Sequence, residues 1–362
     1  MKKAMLLSII LSLLVQSASF ACTDFLVKAK DGSAVVARSM EFAIPTKSHI
    51  RFFPKGDKIQ SVIPEGRKGI SWTSKYDYVG INVFGKDNSV DGLVVDGLNE
   101  KGLSVGGLIF AESEYQEFKP GKSLALTDLA KWLLGNFETV EAVKERIKSI
   151  NVVSVFVPAL AQYPGIHVAV HDANGKSIVI EFIKGEQKIY DNPIGVMTNQ
   201  PEFDWQRTNL RNYINLDNHD IESKKLGKVQ IESIGSGNGW HGLPGDWTPP
   251  SRFVRAALFA NRAPQPKNVT EALILANHIA YTVDIPHGLI EPPLMSGTLF
   301  SDSTQWVVLK DLNNKILYYR SYNDGTLKMI DMKKLRPDSV EKSISMDDEK
   351  ATVIDKTAEL QK

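Results

Sequence analysis

A single cysteine, Cys22, occurs among the 362 residues, and that scarcity excludes an internal disulfide. The chain must be held together by a large core instead. Charge of one sign is missing too: 43 Lys+Arg stand against 42 Asp+Glu, a formal net charge of +1. With no dense Lys/Arg block, neither nucleic acid nor an acidic membrane surface is expected as a partner. HExxH and CxxC spacings are absent. His167 and His171 fall in a strand pattern with no acidic neighbour and are read as structural, so no metal is expected. Gly237-Asn-Gly-Trp-His-Gly242 fits a dinucleotide fingerprint on paper but precedes Leu243-Pro244 rather than a helix, and no cofactor is expected. Beyond the amino terminus, no apolar run reaches the ~20 residues needed to cross a bilayer, so the mature chain is expected to be soluble.

What is present begins with the amino terminus. Lys2 and Lys3 precede an apolar run from Met5 to Val15, then Gln16-Ser17-Ala18-Ser19 leads to Phe20-Ala21-Cys22. Small residues at Ser19 and Ala21 match what a signal peptidase accepts. Residues 1–21 are therefore expected to be a cleaved signal peptide, and 22–362 a single exported domain, periplasmic or secreted, with 338–362 a peripheral helix or tail. The lone cysteine then falls at the cleavage junction. Two explanations are available: a lipid-modified anchor, or a catalytic residue exposed by cleavage. Ser19 and the bulky Phe20 depart from the usual lipoprotein pattern, which disfavours the anchor.

Along the mature chain, alternating runs around Asp31-Gly32, Asn99 to Gly102, Asp172 to Gly175 and Asp311 to Lys315 predict four hairpins. Helical periodicity appears between Leu124 and Ile150, over Phe253 to Asn261, and over Val269 to Ala280 with a cap at Thr270 or Asn268. Residues 43–90 are read as mixed, broken by prolines, and 191–250 as rich in loops. The order implies an α+β domain with mainly antiparallel sheets and helices on their outer faces. Gly102-Leu-Ser104-Val-Gly106 matches a serine nucleophile elbow, but Ser104 lies in a run that continues as strand.

Amide hydrolysis needs a nucleophile, a base near neutrality and donors for the oxyanion. A freed α-amine has a pKa of about 7.7–8.0 and a thiol about 8.5, so one amino-terminal cysteine can supply both nucleophile and base. Arg38, on the second strand of the first hairpin, would favour thiolate. Glu41 is placed to hydrogen-bond the α-amine.

Cys22-Thr-Asp-Phe leading to Ala37-Arg-Ser-Met-Glu-Phe42 resembles the opening of the choloylglycine hydrolase family, which groups bile salt hydrolases and penicillin V acylases among the N-terminal nucleophile hydrolases. The likeness continues through Asn99 to Leu103, Leu133 to Phe137, Asn192 to Pro201, Leu243 to Asp246 and Ser251 to Ala256. The resemblance implies a four-layer αββα sandwich. It makes Cys22 the nucleophile, Arg38 its electrostatic partner, Glu41 the counterpart of a family Asp, and Asn199 an oxyanion donor. It also implies a backbone donor at Ile109 and a second arginine at Arg252, with Arg255 the alternative. Phe42, Ile109 and Phe110 are expected to bind an apolar acyl group. The implied activity is hydrolysis of small-molecule linear amides, of penicillin V acylase type. Bile salt hydrolysis or N-acyl homoserine lactone acylase activity on the same machinery is the alternative, and a lipid-anchored non-catalytic envelope protein the alternative of another class. A homotetramer is the assembly the family implies.

Overall fold

A computed structural model describes residues 21–84, 93–290, 301–336, 343–347 and 350–360; the expected signal segment 1–20 and the start of the second predicted hairpin lie outside them. The opening alternation forms β1 (Cys22–Lys28) and β2 (Ala34–Phe42), turning at Gly32, whose φ of 89° suits a residue without Cβ. Then come β3 (His49–Phe53), β4 (Tyr78–Val83), β5 (Leu93–Asn99), β6 (Ser104–Ile109), β7 (Ile166–His171), β8 (Ser177–Ile183) and β9 (Glu186–Asp191). Short β10 (Val196–Met197) precedes β11 (Ser303–Asp311), β12 (Ile316–Ser321), β13 (Lys328–Asp331) and β14 (Ser343–Ser345).

These strands make two sheets, ordered β10-β1-β2-β11-β12-β13 and β9-β8-β7-β6-β5-β4-β3-β14. Every pairing within both is antiparallel. Helix α1 (Leu129–Asn136) packs against β5 and β6, and α2 (Val140–Ile147) follows it, capped by Thr139. Short α3 (Phe203–Asn209) leads out of β10's loop. On the other side, α4 (Pro249–Arg262) packs on β1, while α5 (Val269–Tyr281), capped by Asn268, lies over β2 and β11. Helices thus cover the outer face of each sheet, giving the four-layer α+β sandwich. None of the described helices is long and apolar enough to cross a membrane.

Three segments differ from expectation. Residues 43–90, read as mixed, supply β3 and β4 and a separate hairpin, Lys58–Ile63 with Arg67–Thr73. Their prolines sit between strands rather than within them, which punctuates strands without forbidding them. The carboxyl-terminal stretch, expected as helix or tail, contributes β14 at the sheet edge beside β3. The loop-rich region contains a small exposed hairpin, Lys224–Leu226 with Val229–Ile231.

Strand alternation decides which side chains meet between the sheets. In β1, Cys22 and Asp24 face the second sheet; in β2, Arg38, Met40 and Phe42 do so, and in β11 Trp306, Val308 and Lys310. The register pairs Cys22 with Met40 and Asp24 with Arg38. Across the gap, Gly106 in β6 leaves room for charge: a Cβ there would lie 2.9 Å from Asp24 Oδ2. Thr23, Ser39 and Glu41, of opposite parity, face the helices.

Candidate active site

Cys22 begins β1, and its Sγ points between the sheets, buried to 1% exposure. Arg38 Nη2 lies 4.0 Å from the sulfur. That guanidinium fills a split in the second sheet. The β5–β6 ladder ends at Asp96 opposite Gly106, and Arg38 donates to the freed carbonyls of Gly107 at 2.7 Å and Val95 at 3.3 Å. Trp306 lies under the same group, its ring centroid 5.1 Å away.

The split also exposes Ile109. Phe110 N–H donates to Gly165 O, which makes Ile109 opposite Ile166 a pair without mutual hydrogen bonds. In such a pair both backbone groups of Ile109 point away from β7. Its carbonyl accepts from Asn199 Nδ2 at 2.7 Å. Asn199 follows β10, and its Oδ1 accepts from Cys22 N at 2.7 Å and from Arg252 Nη2 at 2.9 Å. One N–H of the Asn199 amide is thereby left over beside the Ile109 backbone.

Arg252, buried in α4, also donates through Nη1 to Cys22 O and to Thr23 Oγ1. Arg255 turns the other way, toward the carbonyls of Pro244 and Asp246. Of the two arginines weighed from sequence, Arg252 stands in the site.

Two residues take other positions than expected. The Glu41 carboxylate does not touch the Cys22 nitrogen; its Oε1 accepts from Thr304 Oγ1 at 2.9 Å. Parity is the reason, since Arg38 and Glu41 are three apart on one strand and must face opposite ways. Only the Glu41 backbone carbonyl comes near the sulfur, at 4.0 Å. Phe110 does not line the cavity at Cys22. It is fully buried and stacks on His167, ring centroids 4.8 Å apart and nearly parallel.

His167 is structural in a specific way. It touches Thr198 O at 2.6 Å and Glu181 Oε1 at 3.1 Å, and that same oxygen accepts from Phe203 N–H. Both ends of the segment carrying Asn199 are thus anchored. Among the described residues no three His, Cys, Asp or Glu converge as metal ligands.

Burial pushes the Cys22 thiol above its ordinary value, while Arg38 pulls it down. Sγ is therefore a thiol unless a base removes its proton. A cavity of about 20 Å³ adjoins it, walled by Met40, Phe42, Val83, Phe84, Ile109 and Leu160, among others. The large polar hollow of about 520 Å³ lies at the far end of β1, around Lys28 and Asn192, away from the sulfur. Phe84 and Leu160 escaped the sequence reading because their segments carry no periodic signal. Thr23 and Thr304 escaped it because small hydroxyls announce no role.

The family model for linear amide C–N hydrolases of the choloylglycine hydrolase family matches residues 22–345. The bile salt hydrolase/transferase of Clostridium perfringens is 32% identical over 316 residues, spanning 86% of this chain and 93% of that protein. The penicillin V acylase of Pectobacterium atrosepticum is 29% identical over 352 residues, 91% and 85% of the two chains. A variant of the conjugated bile acid hydrolase from Clostridium perfringens superposes with a TM-score of 0.78 at 30% identity, covering 93% of this chain and 100% of that one. The penicillin V acylase from Agrobacterium tumefaciens gives 0.69 at 27% identity, covering 87% of each. With a sulfur, two buried arginines and an amide gathered at the first matched residue, the chain belongs to the choloylglycine hydrolase family and is a linear amide C–N hydrolase.

Proposed function

We propose that removal of residues 1–21 frees the Cys22 nitrogen and yields an amidase of penicillin V acylase type, acting on small amides with an apolar acyl group. The observation that carries the acyl assignment is the cavity beside Sγ, walled by Phe42, Phe84, Ile109 and other apolar side chains. Its volume of about 20 Å³ holds little more than one water, so an acyl group enters by displacing those side chains.

In this reading the α-amine takes the thiol proton and the thiolate attacks the amide carbon. The remaining Asn199 N–H and the Ile109 N–H hold the oxyanion. Collapse breaks the C–N bond, the α-ammonium returns its proton to the departing amine, and a thioester remains. Water, deprotonated by the same amine, then releases the acid. Arg38 stabilises the thiolate, and Arg252 holds the Cys22 carbonyl and the Asn199 oxygen in place. Glu41 acts from the helix side, through Thr304 and beside Arg252, rather than on the amine.

Cleavage ahead of Cys22 is supported by the family match, which begins there. Export to the periplasm or medium and assembly as a homotetramer belong to the same reading. Bile salt hydrolysis is the second reading, favoured by the 32% identity to a protein of that name. Either acyl group enters only by displacing side chains of the cavity wall, so a substrate panel separates the two readings.

The test is a panel of penicillin V, glyco- and tauro-conjugated bile salts and N-acyl homoserine lactones on the mature protein. Penicillin V is expected to give the highest kcat/KM, and Cys22→Ala to abolish turnover of all. Faster hydrolysis of the bile salts would transfer the assignment to them. Intact mass is expected to show an unmodified Cys22 at the amino terminus; added diacylglycerol would indicate the anchor instead.

A further inference from the structure

Between the sheets lies a layer of buried charge that the reaction as described does not use. Lys310, on β11, is fully buried, and so are Asp96 on β5, Asp24 on β1 and His171 on β7. Lys310 Nζ contacts both oxygens of Asp96, at 2.8 and 2.9 Å. Arg38 Nη1 approaches the same carboxylate only at 3.5 Å. Asp24 Oδ1 accepts from His171 Nε2 at 2.7 Å. Asp96 is therefore engaged through both oxygens by Lys310, and Asp24 through Oδ1 by His171, its Oδ2 being left without a hydrogen bond beside Gly106.

A carboxylate paired fully with Arg38 would cancel the positive field that a thiolate at Cys22 needs. A lysine is costly to bury, and an aliphatic side chain would fill the same place in the sheet without that cost. The pattern makes sense if the cation is there for its charge. We propose that Lys310 acts on Cys22 at one remove: by occupying both oxygens of Asp96, it leaves the charge of Arg38 available to the sulfur. Wherever the proton between them resides, the Lys310–Asp96 unit carries no net negative charge. Burial drives the Asp96 carboxyl up, and Lys310 and Arg38 oppose it. Burial also acts to raise Asp24, but His171, Lys310 and Arg38 overrule it and leave it below its ordinary value. The other titratable groups that act on the sulfur are Glu41 and Arg252, from the helix side. Lys310 is a positioning residue, four strand positions from Trp306, whose ring lies under Arg38.

The inference rests on Cys22 being the nucleophile, but its readout does not. Cys22 is the only cysteine, so the pH dependence of its alkylation by iodoacetamide reports the thiol whether or not amides are turned over. In the mature protein, Lys310→Met is expected to raise the midpoint of that profile by about one pH unit, making alkylation near neutrality about tenfold slower. Lys310→Arg is expected to restore it. Asp96→Asn should shift the midpoint down, and the double variant should return it close to wild type. An unchanged midpoint in Lys310→Met, or a shift of the same sign in Asp96→Asn, overturns the proposal. If Lys310→Met does not fold, Asp96→Asn and the double variant carry the test by their order. A normal thiol profile shift without amide turnover would sink the amidase reading while leaving this one standing.

Discussion

Arg252 Nη2 donates to Asn199 Oδ1 at 2.9 Å, and that bond determines which way round the Asn199 amide points. The same oxygen accepts from the Cys22 nitrogen, so the amide's nitrogen has to face Ile109 and the cavity. One arginine on α4 thereby orients both the residue's acceptor toward the Cys22 nitrogen and its donor toward the Ile109 backbone.

If Asn199 supplies that donor, Asn199→Ala should lower kcat by about 10²–10³. Iodoacetamide alkylation of Cys22, which forms no oxyanion, should change far less. Parallel loss of both would mean that Asn199 supports the thiol and not the oxyanion.

Arg252 and Arg255 are expected to separate cleanly. Arg252→Met leaves Cys22 O, Thr23 Oγ1 and Asn199 Oδ1 without their donor, costing about 3–5 kcal/mol and most of the activity. Arg255→Met loses bonds to the carbonyls of Pro244 and Asp246 and should cost about 1–2 kcal/mol, with kcat nearly kept. Urea melts and turnover measured side by side decide it.

Glu41 predicts a pH signature in stability. Burial pushes its carboxyl up to about 8, against Arg252 and the hydroxyls of Ser39 and Thr304. Between the ordinary carboxyl value of 4.5 and about 8 the native chain then binds more protons than the unfolded one, so stability falls as pH rises through that window. Thermal melts between pH 5 and 8 should show a steeper fall for wild type than for Glu41→Gln. Equal slopes would show that Glu41 ionises normally.

Phe84 touches Phe42 edge-on, ring centroids 5.3 Å apart, at the wall of the cavity. Phe84→Ala should widen the pocket and move the kcat/KM ratio toward bulkier acyl groups by about tenfold or more. A ratio that stays constant across acyl sizes would place the acyl group elsewhere.

Much of this was legible without coordinates. The hairpins at Asp31-Gly32 and Asp172 to Gly175 announce themselves because turn residues and period-two alternation are local properties. So is the cap at Asn268, one of two candidates with Thr270. The position of the lone cysteine at an expected cleavage junction, and the blocks shared with a family, pointed to Cys22, Arg38, Asn199 and Arg252 together. Strands at His49–Phe53 and Tyr78–Val83 were hidden because their burial comes from neighbours in the sheet, which no short window contains.

What only the tertiary structure decided is which face each residue shows and whom it meets there. Glu41 and Arg38 belong to one strand, yet three-residue spacing sends one to the helices and the other to the sulfur. Phe110 and Ile109 are adjacent, yet one stacks on His167 and the other borders the cavity. Lys310 and Asp96 are 214 residues apart and read as ordinary charges until two sheets close over them. Sequence carries propensity and order along the chain. Pairing across a buried gap depends on register and packing distance, which exist only once the sheets have met.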